Sequence, residues 1–231
     1  MTDRPESIIQ AFLTWCEHDA DRALLRWNGE WLSYGDIRNM ASRIAGGLAE
    51  LGIKPGDRVA LFLASSPQFL AAYLGSHMAG ALVVLVNTQY RQVELRHILS
   101  DSEAGLCITD AERRAELEHV RSDLPLLHTI VQSGGHAIDS LSYEELLQHA
   151  RPMLQPALPT VDDIALIAYT SGTTGRSKGA MLSHGNLASN SHAVTHAWGW
   201  TGADKLLLTL PLFHIPVSYT HLRAHETDSY L

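Results

Sequence analysis

Three observations predict an α/β fold built on a largely parallel sheet. Short unbroken apolar runs recur along the chain, as at Val59-Ala60-Leu61-Phe62-Leu63-Ala64, Leu82-Val83-Val84-Leu85-Val86 and Ile164 to Tyr169. Runs without polar alternation mark strands buried on both faces. Segments with helix-capping residues stand between them, giving the strand–helix–strand succession that parallel pairing requires. Glycine, proline and asparagine punctuate the joins where turns are needed.

The elements follow in order. Ser7 to Asp19 reads as an amphipathic helix. Ala23 to Trp27 and Glu30 to Leu32 flank Asn28-Gly29, a strong hairpin signal. Ser33 can cap a helix from Tyr34 to Leu51, which Gly52 ends. Lys54-Pro55-Gly56-Asp57 is a turn before the Val59 strand. From Val59 to Tyr90 there is no Asp, Glu, Lys or Arg, long enough to suggest a membrane helix. The punctuation argues otherwise: Ser66 is an N-cap, Pro67 occupies the first helical position and Gly80 terminates the helix before the Leu82 strand. No transmembrane span is expected.

Further on, Glu94 to Asp101 is a helix, Gly105 to Asp110 a strand, Glu112 to Arg121 a charged helix and Leu126 to Val131 another strand. Ser142 and Glu145 form a capping box. Pro152, Pro156 and Pro159 then break regular structure. The expected organisation is a first α/β subdomain over 1–150, a connector over 151–163 and the start of a second α/β subdomain over 164–216. In that second part Ile164 to Tyr169 and Lys205 to Leu210 are the expected strands, with a helix capped by Ser183 running to about Trp198.

Composition excludes some classes of function. The net charge is −8 and no basic stripe occurs, so nucleic acid is not an expected partner. Two cysteines, Cys16 and Cys107, lie far apart without a metal-type spacing, which points to a reducing cytoplasm. No metal site is expected: His221 and His225 have helical spacing, but the order His-Glu-x-x-His is absent.

Chemistry concentrates in Tyr169-Thr170-Ser171-Gly172-Thr173-Thr174-Gly175-Arg176-Ser177-Lys178-Gly179. Glycines let backbone N–H groups approach an anion. Thr170, Ser171, Thr173 and Thr174 add hydroxyl donors, Lys178 adds positive charge, and the stretch has no carboxylate. This is the chemistry of a loop that holds phosphate. It is not a Walker A loop, because Ser177 stands where the second glycine should be and Gly179 follows the lysine. Gly175-Arg176-Ser177-Lys178-Gly179 does fit the G-x-S-x-G elbow of serine hydrolases. An elbow needs a strand straight into the serine and a helix straight after. Here the strand ends at Tyr169, so the match reads as accidental. A serine hydrolase on Ser177, with Asp204 and His214 or His221 as partners, remains the competing reading, beside a non-catalytic nucleotide-binding fragment.

The eleven residues closely resemble the phosphate-loop signature of the adenylate-forming (AMP-binding) enzymes, of acyl-CoA synthetase type. Met181-Leu182-Ser183-His184-Gly185-Asn186-Leu187 continues the resemblance, and Leu32 to Ile37 and Met78 to Asn87 resemble two further signatures. Where Val86 stands the family usually has proline. Pro211-Leu212-Phe213-His214 resembles the motif that lines the acyl pocket. The resemblance implies a layered α/β fold, ATP and Mg²⁺ as cofactors, and coenzyme A as co-substrate. It implies that a carboxylate oxygen attacks the α-phosphorus to give an acyl-adenylate, which the CoA thiol converts to a thioester. Thr170, Ser171, Gly172, Thr173, Thr174, Gly175 and Lys178 would bind the phosphates, with Lys178 and His214 in catalytic roles. Fatty, malonyl and aromatic acids all remain open as substrates. The resemblance covers roughly 7–216, about half of a family member, so the chain is expected to be an inactive N-terminal fragment. The polar stretch 217–231 departs from the family and reads as non-native.

Overall fold

A computed structural model describes residues 7–135, 139–170 and 176–213. Local sequence signals set most of the elements. Helix α1 (Ile8–His18) is closed by a reciprocal cap between Ser7 and Gln10. Strands β1 (Ala23–Trp27) and β2 (Glu30–Ser33) form a separate hairpin. At its turn Asn28 has φ 49° and Gly29 has φ 90°, the left-handed pair that a two-residue hairpin turn demands. Helix α2 (Tyr34–Glu50) starts where Asp36 N–H donates to Ser33 Oγ at 3.1 Å and Ser33 N–H donates to Asp36 Oδ2 at 2.8 Å.

The run without charged residues becomes β3 (Arg58–Phe62), α3 (Pro67–Met78) and β4 (Leu82–Leu85). No helix among the described residues is long and apolar enough to cross a membrane. Then follow α4 (Gln92–Asp101), β5 (Leu106–Asp110), α5 (Ala111–Glu118), β6 (Thr129–Ser133), β7 (Leu141–Ser142) and α6 (Tyr143–His149). The described chain closes with β8 (Ile164–Thr170), β9 (Lys178–Ser183) and α7 (His184–Trp198).

Among the described residues, seven strands make one sheet in the order β7-β6-β5-β3-β4-β8-β9. Every neighbouring pair is parallel except β8–β9. The sheet separates two cores. Val59, Leu61, Val83, Leu85, Leu166 and Ala168 pack on the face covered by α1, α2 and α3. Ala60, Phe62, Val84, Cys107, Ile130 and Ile167 pack on the opposite face with Leu95, Ile98 and Leu99 of α4. The central strands β3, β4, β5 and β8 contribute alternate residues to both cores, which is why they read as continuous apolar runs.

Two expectations about the second half are corrected. Ile164–Thr170 does not begin a sheet of its own; it pairs with β4 through Val83↔Leu166, Val84↔Ile167 and Leu85↔Ala168. The expected connector over 151–163 therefore joins elements of one sheet. It is bound to the first half: Met153 N–H donates to the Ser42 carbonyl at 2.8 Å and Ala157 N–H to the Met78 carbonyl at 2.7 Å. A Cβ on Gly46 of α2 would collide with the Arg151 carbonyl, so the connector crosses α2 where a side chain is missing. The second correction concerns Lys205 to Leu210, which forms no strand. A strand needs a partner, and both sides of β8 are taken by β4 and β9. The segment lies instead beside the β1–β2 hairpin, leaving Leu207 84% exposed.

Candidate functional site

The glycine- and hydroxyl-rich stretch joins β8 to β9, which pair antiparallel. Their last paired residues are Thr170 and Lys178, directly opposite each other. Ser171, Gly172, Thr173, Thr174 and Gly175 lie outside the described residues, as does His214. Of the expected site, Thr170 and Lys178 are thus placed, both exposed, at the end of β8 and the start of β9. The stretch follows the carboxyl end of β8, the same edge at which its parallel neighbour β4 ends. That edge is where open α/β sheets bind ligands. A neighbouring tie at this edge runs from Ala64 N–H to Asp110 Oδ2 at 2.9 Å, joining the ends of β3 and β5.

The flanks of the stretch are held by α4. His97 Nε2 lies 2.7 Å from the Ser177 carbonyl oxygen. Because a carbonyl only accepts, this nitrogen carries the proton and donates. Tyr169 Oη donates to Asp101 Oδ2 at 2.7 Å. The His97 and Tyr169 rings meet edge to face, with centroids 6.0 Å apart and planes at 80°. Burial, and after it the bond to Asp101, pushes the Tyr169 phenol well above the usual tyrosine range, so it remains a donor. Sequence reading missed His97 and Asp101. Their signal was the i, i+4 spacing on one helix, which puts both on one face. Nothing in it revealed that Ser177 and Tyr169, distant in sequence, stand opposite that face.

The geometry also decides the G-x-S-x-G match. Ser177 leads into strand β9, with the α7 helix beginning only at His184, so it is not at a strand-to-helix elbow. Asp204, the acid expected for that reading, accepts from Thr201 N–H at 2.7 Å and Thr201 Oγ1 at 2.9 Å.

Two other features lie apart from the hairpin. A groove of about 960 Å³ runs between β1–β2 and 202–212, lined among others by Leu24, Trp31, Leu70, Leu206 and Leu212. None of its lining residues belongs to 169–179. Leu212, from the expected acyl-pocket motif, is fixed there by its N–H donating to Ser65 Oγ at 2.9 Å. Elsewhere, His77 of α3 and His184 at the start of α7 are buried with ring centroids 5.0 Å apart.

The hairpin offers exposed donors and a cation without a carboxylate, which fits a polyphosphate. It does not by itself fit a bare divalent cation, whose oxygen ligands would have to come with the phosphates. Among the described residues no group of three or more metal-ligating side chains occurs.

The fold defines a class: α/β proteins with a mostly parallel sheet in which a glycine- and threonine-rich segment joins β8 to β9, with a lysine at the start of β9 and bonds from α4 on both flanks. Comparison narrows that class. Residues 12–221 match the AMP-binding enzyme family, and the chain belongs to it. That match ends inside the 217–231 stretch. The chain is 32% identical over 244 residues to a long-chain-fatty-acid–CoA ligase of Salmonella typhimurium, covering 92% of this chain and 43% of that protein. It is 35% identical over 182 residues to a 4-hydroxybenzoate–CoA/benzoate–CoA ligase of Rhodopseudomonas palustris, covering 79% of this chain and 34% of that protein. The crystal structure of apo MatB from Rhodopseudomonas palustris superposes with a TM-score of 0.82 at 29% identity, over 95% of this chain and 44% of that one. The chain therefore spans less than half the length of these relatives.

Proposed function

We propose that this chain supplies the phosphate-binding part of an enzyme that activates a carboxylic acid with ATP, forming an acyl-adenylate and then a CoA thioester. The observation that supports the reading is that Thr170 and Lys178, which flank the glycine- and threonine-rich segment, stand opposite each other at the carboxyl end of β8. The family match adds to it. Thr170 and Lys178 would contact the polyphosphate from the two stems, and Ser171 to Gly175 would supply the donors between them. Lys178, paired across from Thr170 and exposed, would stabilise charge that grows on phosphate oxygens as the carboxylate attacks. Mg²⁺, arriving with the phosphates, would neutralise the leaving pyrophosphate. His214 would line the acid's approach. Matched relatives are named for long-chain fatty, feruloyl and benzoate-type acids, which supports an acid with a sizeable apolar body. A reducing compartment, the cytoplasm, suits the buried free thiols of Cys16 and Cys107.

The test is carried out in a protein of the relatives' full length that contains this chain. There Lys178→Ala should slow acyl-AMP formation on the order of 10²–10³-fold, as loss of one preorganised charge-stabilising group does. ATP–pyrophosphate exchange at near the unmutated rate would remove Lys178 from the site.

A further inference from the structure

We propose that α4 anchors the phosphate hairpin, with His97 and Asp101 as positioning residues that fix its two stems. The proposal rests on the reading of Tyr169–Gly179 as a phosphate loop.

Four observations converge on it. First, the anchor grips both sides of the turn. His97 Nε2–H donates to the carbonyl of Ser177, one residue before β9, and Asp101 receives the hydroxyl of Tyr169, one residue before the end of β8. Second, the two anchoring side chains are four residues apart on α4 and so project from one face. The helix itself is held in the core by Leu95, Ile98 and Leu99, so the anchor is rigid. Third, β9 makes room for this arrangement. Gly179 is the cross-strand partner of Tyr169, and a Cβ there would sit 3.1 Å from Tyr169 Cζ and 3.0 Å from a methyl of Ile167. The missing side chain lets the Tyr169 ring lie across the strand towards Asp101. Fourth, apart from its ladder with β8, β9 is lightly covered. Its residues Lys178 to Met181 are exposed and it is the last strand of the sheet among the described residues. Without α4, the β8 ladder alone would set where the turn begins and ends. A loop whose ends are fixed in advance loses less conformational freedom when a ligand orders it, which is how a helix that touches no phosphate can govern phosphate affinity.

The experiment uses the same protein of the relatives' full length, and compares it with its His97→Leu and His97→Gln variants. Glutamine can place an N–H donor near the Nε2 position; leucine fills the space without one. Two readouts are taken: amide exchange of Ser177 and Lys178 without ligand, and affinity for ATP with excess magnesium by NMR titration. The expected result is faster exchange and roughly tenfold weaker Mg·ATP binding in His97→Leu, with His97→Gln restoring both to within about threefold. The melting temperature should be the same in all three, because His97 belongs to neither apolar core. Unmutated exchange and affinity in His97→Leu, in a chain that binds Mg·ATP, would overturn the anchor and leave the phosphate-loop reading standing. A failure of the unmutated chain to bind Mg·ATP would overturn that reading and, with it, the proposed purpose of the anchor. Equal loss in the leucine and glutamine variants, with a fall in melting temperature, would show His97 to be packing only. Gly179→Ala provides a second variant. By displacing the Tyr169 ring it should quicken the same amides from the opposite stem, and unchanged exchange there would contradict the Tyr169–Asp101 half of the proposal.

Discussion

Strand β8 has two neighbours that differ in almost every respect. On one side β4 runs parallel and is buried on both faces, with Val83 and Val84 fully inaccessible. On the other side β9 runs antiparallel and exposes its first four residues. The buried side is held by apolar packing that many sequences could supply. The exposed side is held by its ladder with β8, with two directed bonds from α4 at the end where the strands are joined. Stability is therefore expected to reside on the β4 side, and ligand affinity on the β9 side, so substitutions on the two sides should separate the two quantities.

The largest effect belongs to the buried side. Leu166 is fully buried in the same core as Leu61 and Val83. Leu166→Ala should cost about 2–5 kcal/mol, read from the urea midpoint and slope. A loss below about 1 kcal/mol would show that β8 is not continuous with the first half's core.

Acid should weaken the fold by a comparable amount. Burial, opposed in part by the Asp163 carboxylate, lowers His184 to about 4. Burial and then the neighbouring His184 hold His77 well below the ordinary histidine value. Tyr73 covers the other edge of the His77 ring, at 4.5 Å between centroids. Both imidazoles are neutral in the fold, while the unfolded chain binds protons once the pH falls below about 6.5. Stability is thus flat above that value and declines as pH drops from about 6.5 towards 4. The decline from His184 alone is on the order of 3 kcal/mol. Urea titrations at pH 7.0, 5.5 and 4.5 would measure it. His184→Leu should flatten the profile, and an unchanged slope would dissociate acid sensitivity from this pair.

A third effect is kinetic rather than thermodynamic. The proline-rich connector is tied at Met153 and Ala157, whereas 205–210 has neither helix nor strand to hold it. A broad-specificity protease should therefore cut within 205–210 before 151–160, as exposed backbone without hydrogen bonds is cleaved first. Mass spectrometry of early fragments would decide the order, and initial release of a piece ending near 155 would reverse it.

These contrasts explain what the sequence made legible. Elements whose causes are local could be read directly: the serine caps at Ser33, Ser66, Ser142 and Ser183 all start helices, and Asn28-Gly29 makes its turn. Which strands become neighbours is not local. Ile164 to Tyr169 looked like the start of a new layer because nothing in its residues says that Leu82–Leu85 lacks a partner on that side. Lys205 to Leu210 looked like a strand for the same reason, since apolar content signals a strand without guaranteeing an edge to join. In the candidate site the donors of the turn were legible as chemistry. The residues that hold its stems were not, because His97 and Asp101 act across 80 and 68 positions of sequence.

The smallest expected effect tests the exposed side most cleanly. Met181 sits on β9 opposite Ile167 and is 65% exposed. Its methyl and sulfur cover little of the core, so Met181→Ser should change stability by no more than about 0.5 kcal/mol. The same substitution has a second consequence that does not depend on the fold's stability. An exposed strand edge bearing an apolar side chain can pair with another copy, and a lysine on such an edge opposes that pairing. Met181→Lys should therefore lower concentration-dependent light scattering while leaving the urea midpoint near that of the unmutated chain. A loss of stability comparable to that of Leu166→Ala would mean that β9 is packed as deeply as β4, and the division between a packed side and a tethered side of β8 would not hold.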